Sequence, residues 1–272
     1  MDEVERPWVE KVARKLRAGL AVPAVPATVQ ARVDAMWRTQ LAGLDLPSLR
    51  ERFLADGELV VLPDLVPEAL CTEALAEIDR VPATRSRLPW LRSAQHVGFR
   101  TLQRVAPLST AIYRSQVFLD WTSELVGRAM HLKDDQDDHA CATYEYDRKG
   151  DGMRFHYDTC GCEEGASYTQ LLSLCDRSTQ RLLVDLHTKD SRPVERRELR
   201  TPPGTMVIFC GSKVWHGVSK MGAGQRRVIL SMSYASNPSM PPLRRLYENA
   251  KDAVLYFGPG ALLQRNFGTK RD

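Results

Sequence analysis

The second half of the chain constrains the fold most. From about residue 138 to 236 it breaks into short runs rich in β-branched and aromatic residues: CATYEYD, MRFHYD, SYTQLLSLC, RLLVDLH, TMVIFCG, VWHGVS and RRVILSMSYA. Clusters of Gly, Pro, Asp or Ser separate them. Runs this short, spaced this evenly, read as strands of an all-β sandwich or barrel. In TPPGTMVIFCGSKVW the pattern is a turn at Pro203-Gly204, a buried strand, a short loop and the next strand.

Upstream the texture is helical. PWVEKVARKLRAGL places Val9, Val12, Ala13, Leu16 and Leu20 close to a 3.6-residue spacing. AVPAVPAT interrupts it with two prolines and reads as a linker, followed by a helix around Val29 to Leu41. A helix, a turn at Asp56-Gly57, a buried strand from Leu59 to Leu62 and a helix from about Pro67 to Asp79 come next. Proline suits a first helical turn, where its missing N–H costs nothing. Ser109 to Met130 is one further apolar-periodic segment. The expected organisation is a helical extension over 1–45, a main domain over 46–236 with its β-core at about 138–236, and a C-terminal extension over 237–272 serving as a lid or interface.

Composition bounds the function. With 272 residues, 43% hydrophobic and 26% charged, the chain is that of a soluble globular protein with a full core. The net charge of +4 is small and the arginines are dispersed, which argues against a nucleic-acid partner. No apolar run approaches the roughly 20 residues of a membrane span, and the N-terminus has no secretory pattern, so no membrane partner and a cytoplasmic location are expected. Six cysteines in such a chain read as free thiols. The acidic run Asp134, Asp135, Asp137, Asp138 lacks the glycine and closing glutamate of a calcium loop. Nothing in the sequence speaks for a particular oligomeric state.

MRFHYDTCGC, Met153 to Cys162, concentrates the chemistry. On a strand, alternation turns His156 and Asp158 to one face, where an imidazole and a carboxylate can reach one ion. A third ligand must come from elsewhere. His216 has the better setting, after a buried strand and a short loop, and His187, at a strand end, is the runner-up. Two histidines and one carboxylate form the facial triad of non-heme Fe(II) oxygenases, although zinc also accepts such a set. Cys160 and Cys162 lack a second cysteine pair and are neighbours of the site rather than ligands. Arg226 and Arg227 follow His216 by ten and eleven residues, at the mouth of a buried strand. Guanidinium binds a carboxylate through two bonds at once, and neighbours on a strand face opposite sides, so one of the two enters the site.

His156-x-Asp158, His216 and the Gly-Gln-Arg element together resemble the iron(II)/2-oxoglutarate-dependent dioxygenases. FLADGELVVLPDLVPEALCTEALAEID is similar to the corresponding upstream region of the phytanoyl-CoA hydroxylase-like and prolyl-hydroxylase-like branches, and PPGTMVIFCGSKVWHGVSKMGAGQRRVILSMSYA to their last strands. The resemblance spans roughly residues 49 to 236. It implies an α+β fold, a double-stranded β-helix (jelly roll, cupin-like) with N-terminal helices packed on it. It implies Fe(II) on His156, Asp158 and His216, with 2-oxoglutarate as cosubstrate and O2 as oxidant. The far carboxylate of 2-oxoglutarate would meet Arg226 first, with Arg227 open because the turn leaves the register unset. A small-molecule substrate, such as an amino acid or natural-product intermediate, would be hydroxylated, desaturated or cyclised with release of succinate and CO2. Halogenating relatives replace the carboxylate by a small residue, so Asp158 argues against halogenation. A non-catalytic or zinc-holding β-barrel is the rival reading.

Other residues flank this set. Arg154, two before His156, is a candidate grip on an anionic substrate group. Tyr144 and Tyr146 alternate on the preceding strand and are candidates to bind the cosubstrate. Gln170 and Ser231 are candidate polar liners, and Trp215 is expected to face away from the metal.

Overall fold

A computed structural model describes residues 22–88, 92–135, 137–158 and 165–237. The helix expected within residues 7–20, Cys160 and Cys162, and nearly all of the C-terminal extension lie outside the described residues.

Helix α1 (Ala27–Ala42) begins after the proline linker, and α2 (Leu46–Ala55) starts at Asp45, whose carboxylate accepts from the Ser48 amide at 3.3 Å and its hydroxyl at 2.6 Å. That cap satisfies a helix-end amide that has no partner within the helix. Strand β1 (Leu59–Leu62) and α3 (Glu68–Ile78) follow as the sequence suggests, with Leu70, Cys71, Ala74 and Ile78 buried along one stripe of α3. The segment expected as a single helix from Ser109 is instead two, α5 (Pro107–Arg114) and α6 (Gln116–Val126), after a short α4 (Phe99–Val105). Ser115 is extended at the break, where its hydroxyl donates to Asp34 of α1 at 2.6 Å. The break lets α5 and α6 both pack on α1, where Trp37 stacks on Phe118 at 4.2 Å.

The strands are β2 (Thr84–Leu88), β3 (Arg92–Val97), β4 (His131–Leu132), β5 (Cys141–Tyr146), β6 (Gly152–His156), β7 (Ser167–Arg177), β8 (Leu182–Leu186), β9 (Glu195–Leu199), β10 (Met206–Cys210), β11 (Trp215–Val218) and β12 (Arg226–Ala235). They form one curled antiparallel sheet in the order β1-β10-β7-β12-β5-β3-β6-β11-β8-β9, with β2 on β3 and β4 on β12. This is a jelly roll with helices on one side, an α+β fold. Strands β2 and β3 lie upstream of the expected β-core, and β3 bridges β5 and β6.

The curl gives the sheet an outer and an inner face. Outward, Leu172 and Leu174 of β7 and Val228, Leu230 and Met232 of β12 join the helices in one large core. Inward, Leu59, Leu182, Val184, Leu186, Val207, Phe209 and Val214 form a second, smaller cluster that fills one part of the barrel. A third small cluster, Ala94, Tyr146 and Met221, packs elsewhere, and buried polar residues such as Arg227, Ser173 and Thr169 also line the inner wall.

Candidate metal centre

His156 ends β6 and His216 opens the second position of β11, and the two are directly paired across these antiparallel strands. Gly217 allows the approach, since a Cβ there would come within 2.9 Å of the Met153 carbonyl. Each imidazole is oriented from behind. Nδ1 of His156 donates to the Arg154 carbonyl at 2.9 Å, and Nδ1 of His216 donates to the Val214 carbonyl at 3.1 Å. Those bonds fix the tautomer and leave both Nε2 lone pairs free for a metal.

Asp158 lies just beyond the end of β6, so strand alternation alone does not place it. Its amide donates to the Gly211 carbonyl at 2.9 Å, and its Oδ2 accepts from the Thr169 hydroxyl at 2.6 Å. Oδ1 then stands 3.5 Å from Nε2 of His156 and 3.6 Å from Nε2 of His216. Ligand atoms bound about 2.0–2.2 Å from one ion lie about 3–3.5 Å from each other, so the set fits a single metal. The side chain of His216 is 7% exposed, whereas those of His156 and Asp158 keep 23% and 30%. The centre is therefore sealed behind His216, where the Phe209 ring packs edge-on at 4.7 Å, and open on the other side. Open positions are what a catalytic metal needs.

The charges agree with this role. Burial alone would raise the Asp158 carboxyl, but His216, His156 and Thr169 together hold it well below the usual carboxylate range. Burial lowers His216, favouring the neutral ligand form. For His156 burial acts the same way, but the bond to Asp158 outweighs it and raises the imidazole.

The two arginines part company. The resemblance points first to Arg226, yet Arg226 faces outward, where it pairs with Glu145 at 2.6 Å and with Asp79 at the end of α3. Arg227 faces the interior. Pairing of β12 with β5 is unbroken from Arg227 to Met232, so Arg227, Ile229, Ser231 and Ser233 share one face. Ser233 is paired with Thr169, the residue that holds Asp158, so that face is the one the triad shares. Arg227 is 1% exposed. One of its nitrogens donates to Thr201 at 3.0 Å, while Nε and Nη1 have no hydrogen-bond partner among the described residues. Ser173, on the same wall of β7, and Thr205 have similarly unpaired buried hydroxyls.

Tyr146 is paired with Arg227 and Tyr144 with Ile229, so both tyrosines line the inner wall. Burial pushes the Tyr146 phenol up to about 12. Tyr146 packs with Ala94 and Met221, and Val218, two residues past His216, packs against that group. Arg154 is exposed on β6. Ser231 lies half-buried on the inner face, but Gln170 is turned to the helix side with Met232, its amide donating to the Tyr168 carbonyl at 3.0 Å. Trp215 packs on Phe155 and Tyr157. His187 pairs with Asp190 at 3.2 Å. Thr169 and Gly211 escape a sequence reading because their importance lies in touching Asp158 from another strand and from the β10–β11 turn.

No protein-family model matches the chain, and no curated protein matches it. Solved structures do. The chain is similar to an oxidoreductase of the 2OG-Fe(II) oxygenase family from Burkholderia pseudomallei (TM-score 0.58, 11% identity, covering 74% of this chain and 95% of that one). It is similar to the non-heme alpha ketoglutarate dependent carbocyclase SnoK from nogalamycin biosynthesis (0.57, 12%, 71% and 85%). It is also similar to a Trichoplax adhaerens prolyl hydroxylase in complex with a hypoxia inducible factor peptide fragment (0.54, 12%, 86% and 95%). At these identities the likeness establishes a shared jelly-roll fold. Among the described residues, no helix is long and apolar enough to cross a membrane.

Proposed function

We propose that the protein is an Fe(II)- and 2-oxoglutarate-dependent oxygenase acting on a small molecule, an amino acid or natural-product intermediate, by hydroxylation, desaturation or ring closure. One observation carries the reading. Two Nε2 atoms and one carboxylate oxygen converge on one point of a barrel whose same inner face holds a buried arginine with two nitrogens unpaired among the described residues. A buried guanidinium satisfied at one nitrogen only is costly, and an anionic ligand is what would satisfy the others.

In this reading His156, Asp158 and His216 hold iron, and Arg227, rather than Arg226, takes the far carboxylate of 2-oxoglutarate. Bound iron would supply the oxidising chemistry, O2 being reduced as 2-oxoglutarate is converted to succinate and CO2. The residues of the chain supply geometry. The Arg154 and Val214 carbonyls aim the imidazoles, and Thr169 binds Oδ2 of Asp158 so that Oδ1 faces the ion. The Phe209 cluster keeps water from the side behind His216. Tyr144 and Tyr146 wall the cosubstrate site, and Arg154 offers a cation to an anionic group of the substrate. With Asp158 in place the third protein position on iron is filled, which disfavours halogenation.

The test is anaerobic reconstitution with Fe(II) and 2-oxoglutarate, followed by oxygen. The expected result is a visible absorption band that requires both additions, and succinate formed slowly even without substrate. Neither band nor succinate, with zinc retained after purification, would overturn the proposal in favour of a metal-binding module without redox activity.

A further inference from the structure

The turn between β10 and β11, Cys210 to Val214, holds two of the three metal ligands by its backbone. The Gly211 carbonyl accepts from the Asp158 amide at 2.9 Å, and the Val214 carbonyl accepts from Nδ1 of His216 at 3.1 Å. The Lys213 and Val214 amides close the turn on the Cys210 carbonyl, each at 3.0 Å. Gly211 lies so close to Asp158 that a Cβ there would come within 2.6 Å of the Asp158 Cβ. Displacement of this turn is therefore passed directly to Asp158 and His216.

Glu58 grips the turn from the opposite side. It precedes β1 and sits at φ 68°, a left-handed conformation that a residue other than glycine seldom adopts. Such strain persists only where surrounding contacts over-determine it. Those contacts are present. The Glu58 amide donates to the Phe53 carbonyl at 2.8 Å, and its carbonyl accepts from the Cys210 amide at 3.0 Å. Its carboxylate, 12% exposed, accepts from the Tyr168 hydroxyl at 2.8 Å and from the ammonium of Lys213. Burial would raise the Glu58 carboxyl, but Lys213 and Tyr168 hold it below its ordinary value. Two further bonds reach the turn, from exposed Lys189 to the Ser212 carbonyl at 2.7 Å and from half-buried Thr188 to the Lys213 carbonyl at 3.3 Å. The buried carboxylate is the anchor that ties the turn to β1 and β7 at once.

We infer that Glu58, through Lys213 and Tyr168, is a positioning residue that sets the 210–214 turn and hence the placing of Asp158 and His216. This rests on the metal centre proposed above. Residues supporting metal ligands from outside typically change metal affinity by about 10–100-fold when removed. Lys213 is half-exposed, so its replacement leaves the core intact and isolates the clamp from folding.

The experiment is calorimetric titration of metal-free protein with Co(II), with the thermal midpoint of the metal-free form measured alongside. Glu58→Gln and Lys213→Met should each weaken Co(II) by about tenfold or more. The double variant should be no weaker than the worse single one, because both act through one contact. Lys213→Arg should restore binding. Arg197→Ala, which breaks the Arg197–Asp56 pair two residues from Glu58, should lower the midpoint yet leave Co(II) affinity within about twofold of wild type. Unchanged affinity in both Glu58→Gln and Lys213→Met would overturn the inference, as would equal weakening in Arg197→Ala. Wild-type protein that binds no Co(II) would overturn the metal centre itself and the inference with it.

Discussion

Strand β12 carries two chemistries on its two faces. Outward, Val228, Leu230 and Met232 are buried against helices and adjoining strands in the large apolar core. Inward, Arg227, Ser231 and Ser233 alternate with Ile229 along the wall shared with Thr169 and the triad. The outer face is satisfied by packing. The inner face is not, because Arg227 keeps two nitrogens and Ser173 a hydroxyl without partners among the described residues. Buried polar groups left unpaired cost about 1–3 kcal/mol each. Stability therefore comes from the helix-clad side, and the barrel interior gives up some of it where buried polar groups lack partners among the described residues.

The comparison breaks first at the metal centre. Asp158→Ala should abolish succinate formation, a loss of at least about 10³-fold by analogy with removal of a catalytic electrostatic group. The thermal midpoint at neutral pH should fall only modestly beside this, because the Asp158 carboxylate, held low by His216, His156 and Thr169, also contributes some stability. Turnover assays beside differential scanning calorimetry check both halves of this expectation.

The outer face should answer oppositely. Leu230→Ala opens a cavity in the fully packed core and should cost about 2–5 kcal/mol, read from urea midpoints. Ser231→Ala, on the inner face of the same strand, should stay within about 0.5 kcal/mol.

Arg226 and Arg227 sharpen the contrast at adjacent positions. Arg227→Met should raise the KM for 2-oxoglutarate by about 10–100-fold, the loss of roughly 1.4–2.8 kcal/mol of charged hydrogen bonding. Arg226→Met breaks partly exposed pairs with Asp79 and Glu145 and should cost under about 1 kcal/mol of stability, with KM unchanged. The reverse pattern in steady-state kinetics would reassign the anchor.

A separate, pH-dependent effect lies around Asp151. Burial raises the Asp151 carboxyl, but bonds from Ser93, Arg85 and the Arg148 and Asp147 amides outweigh it and hold the group below its ordinary value. Its stabilising contribution is thus present above the unfolded value of about 3.9 and is lost as pH falls through the lower folded one. Arg85→Met should remove about 1–2 kcal/mol at neutral pH and flatten the acid limb of the stability curve.

Much of this was legible before the structure. β1 matches its expected bounds, and α1 and α3 lie within a few residues of theirs, because apolar periodicity and proline placement are local signals. Strands β2, β3 and β9, TRSRL, RSAQHV and ERREL, were not, since charged residues interrupt any apolar alternation. The break at Ser115 was hidden for a related reason. Both α5 and α6 are apolar-periodic, and only the bond from Ser115 to Asp34, 81 residues away, marks the division.

Local order in the chain determined the element types and the identity of the donors: two imidazoles, a carboxylate and a pair of arginines near one another in sequence. Tertiary structure decided how they are used. Alternation says that Arg226 and Arg227 face opposite ways, but which way is inward depends on the unbroken register of β12 against β5. Asp158, past the end of its strand, is placed by Gly211 in the β10–β11 turn and by Thr169 on β7. Glu58 and Lys213, 155 positions apart, meet only because β1 pairs with β10. A face, a turn and a clamp are relations between strands, and such relations exist only once the sheet has closed.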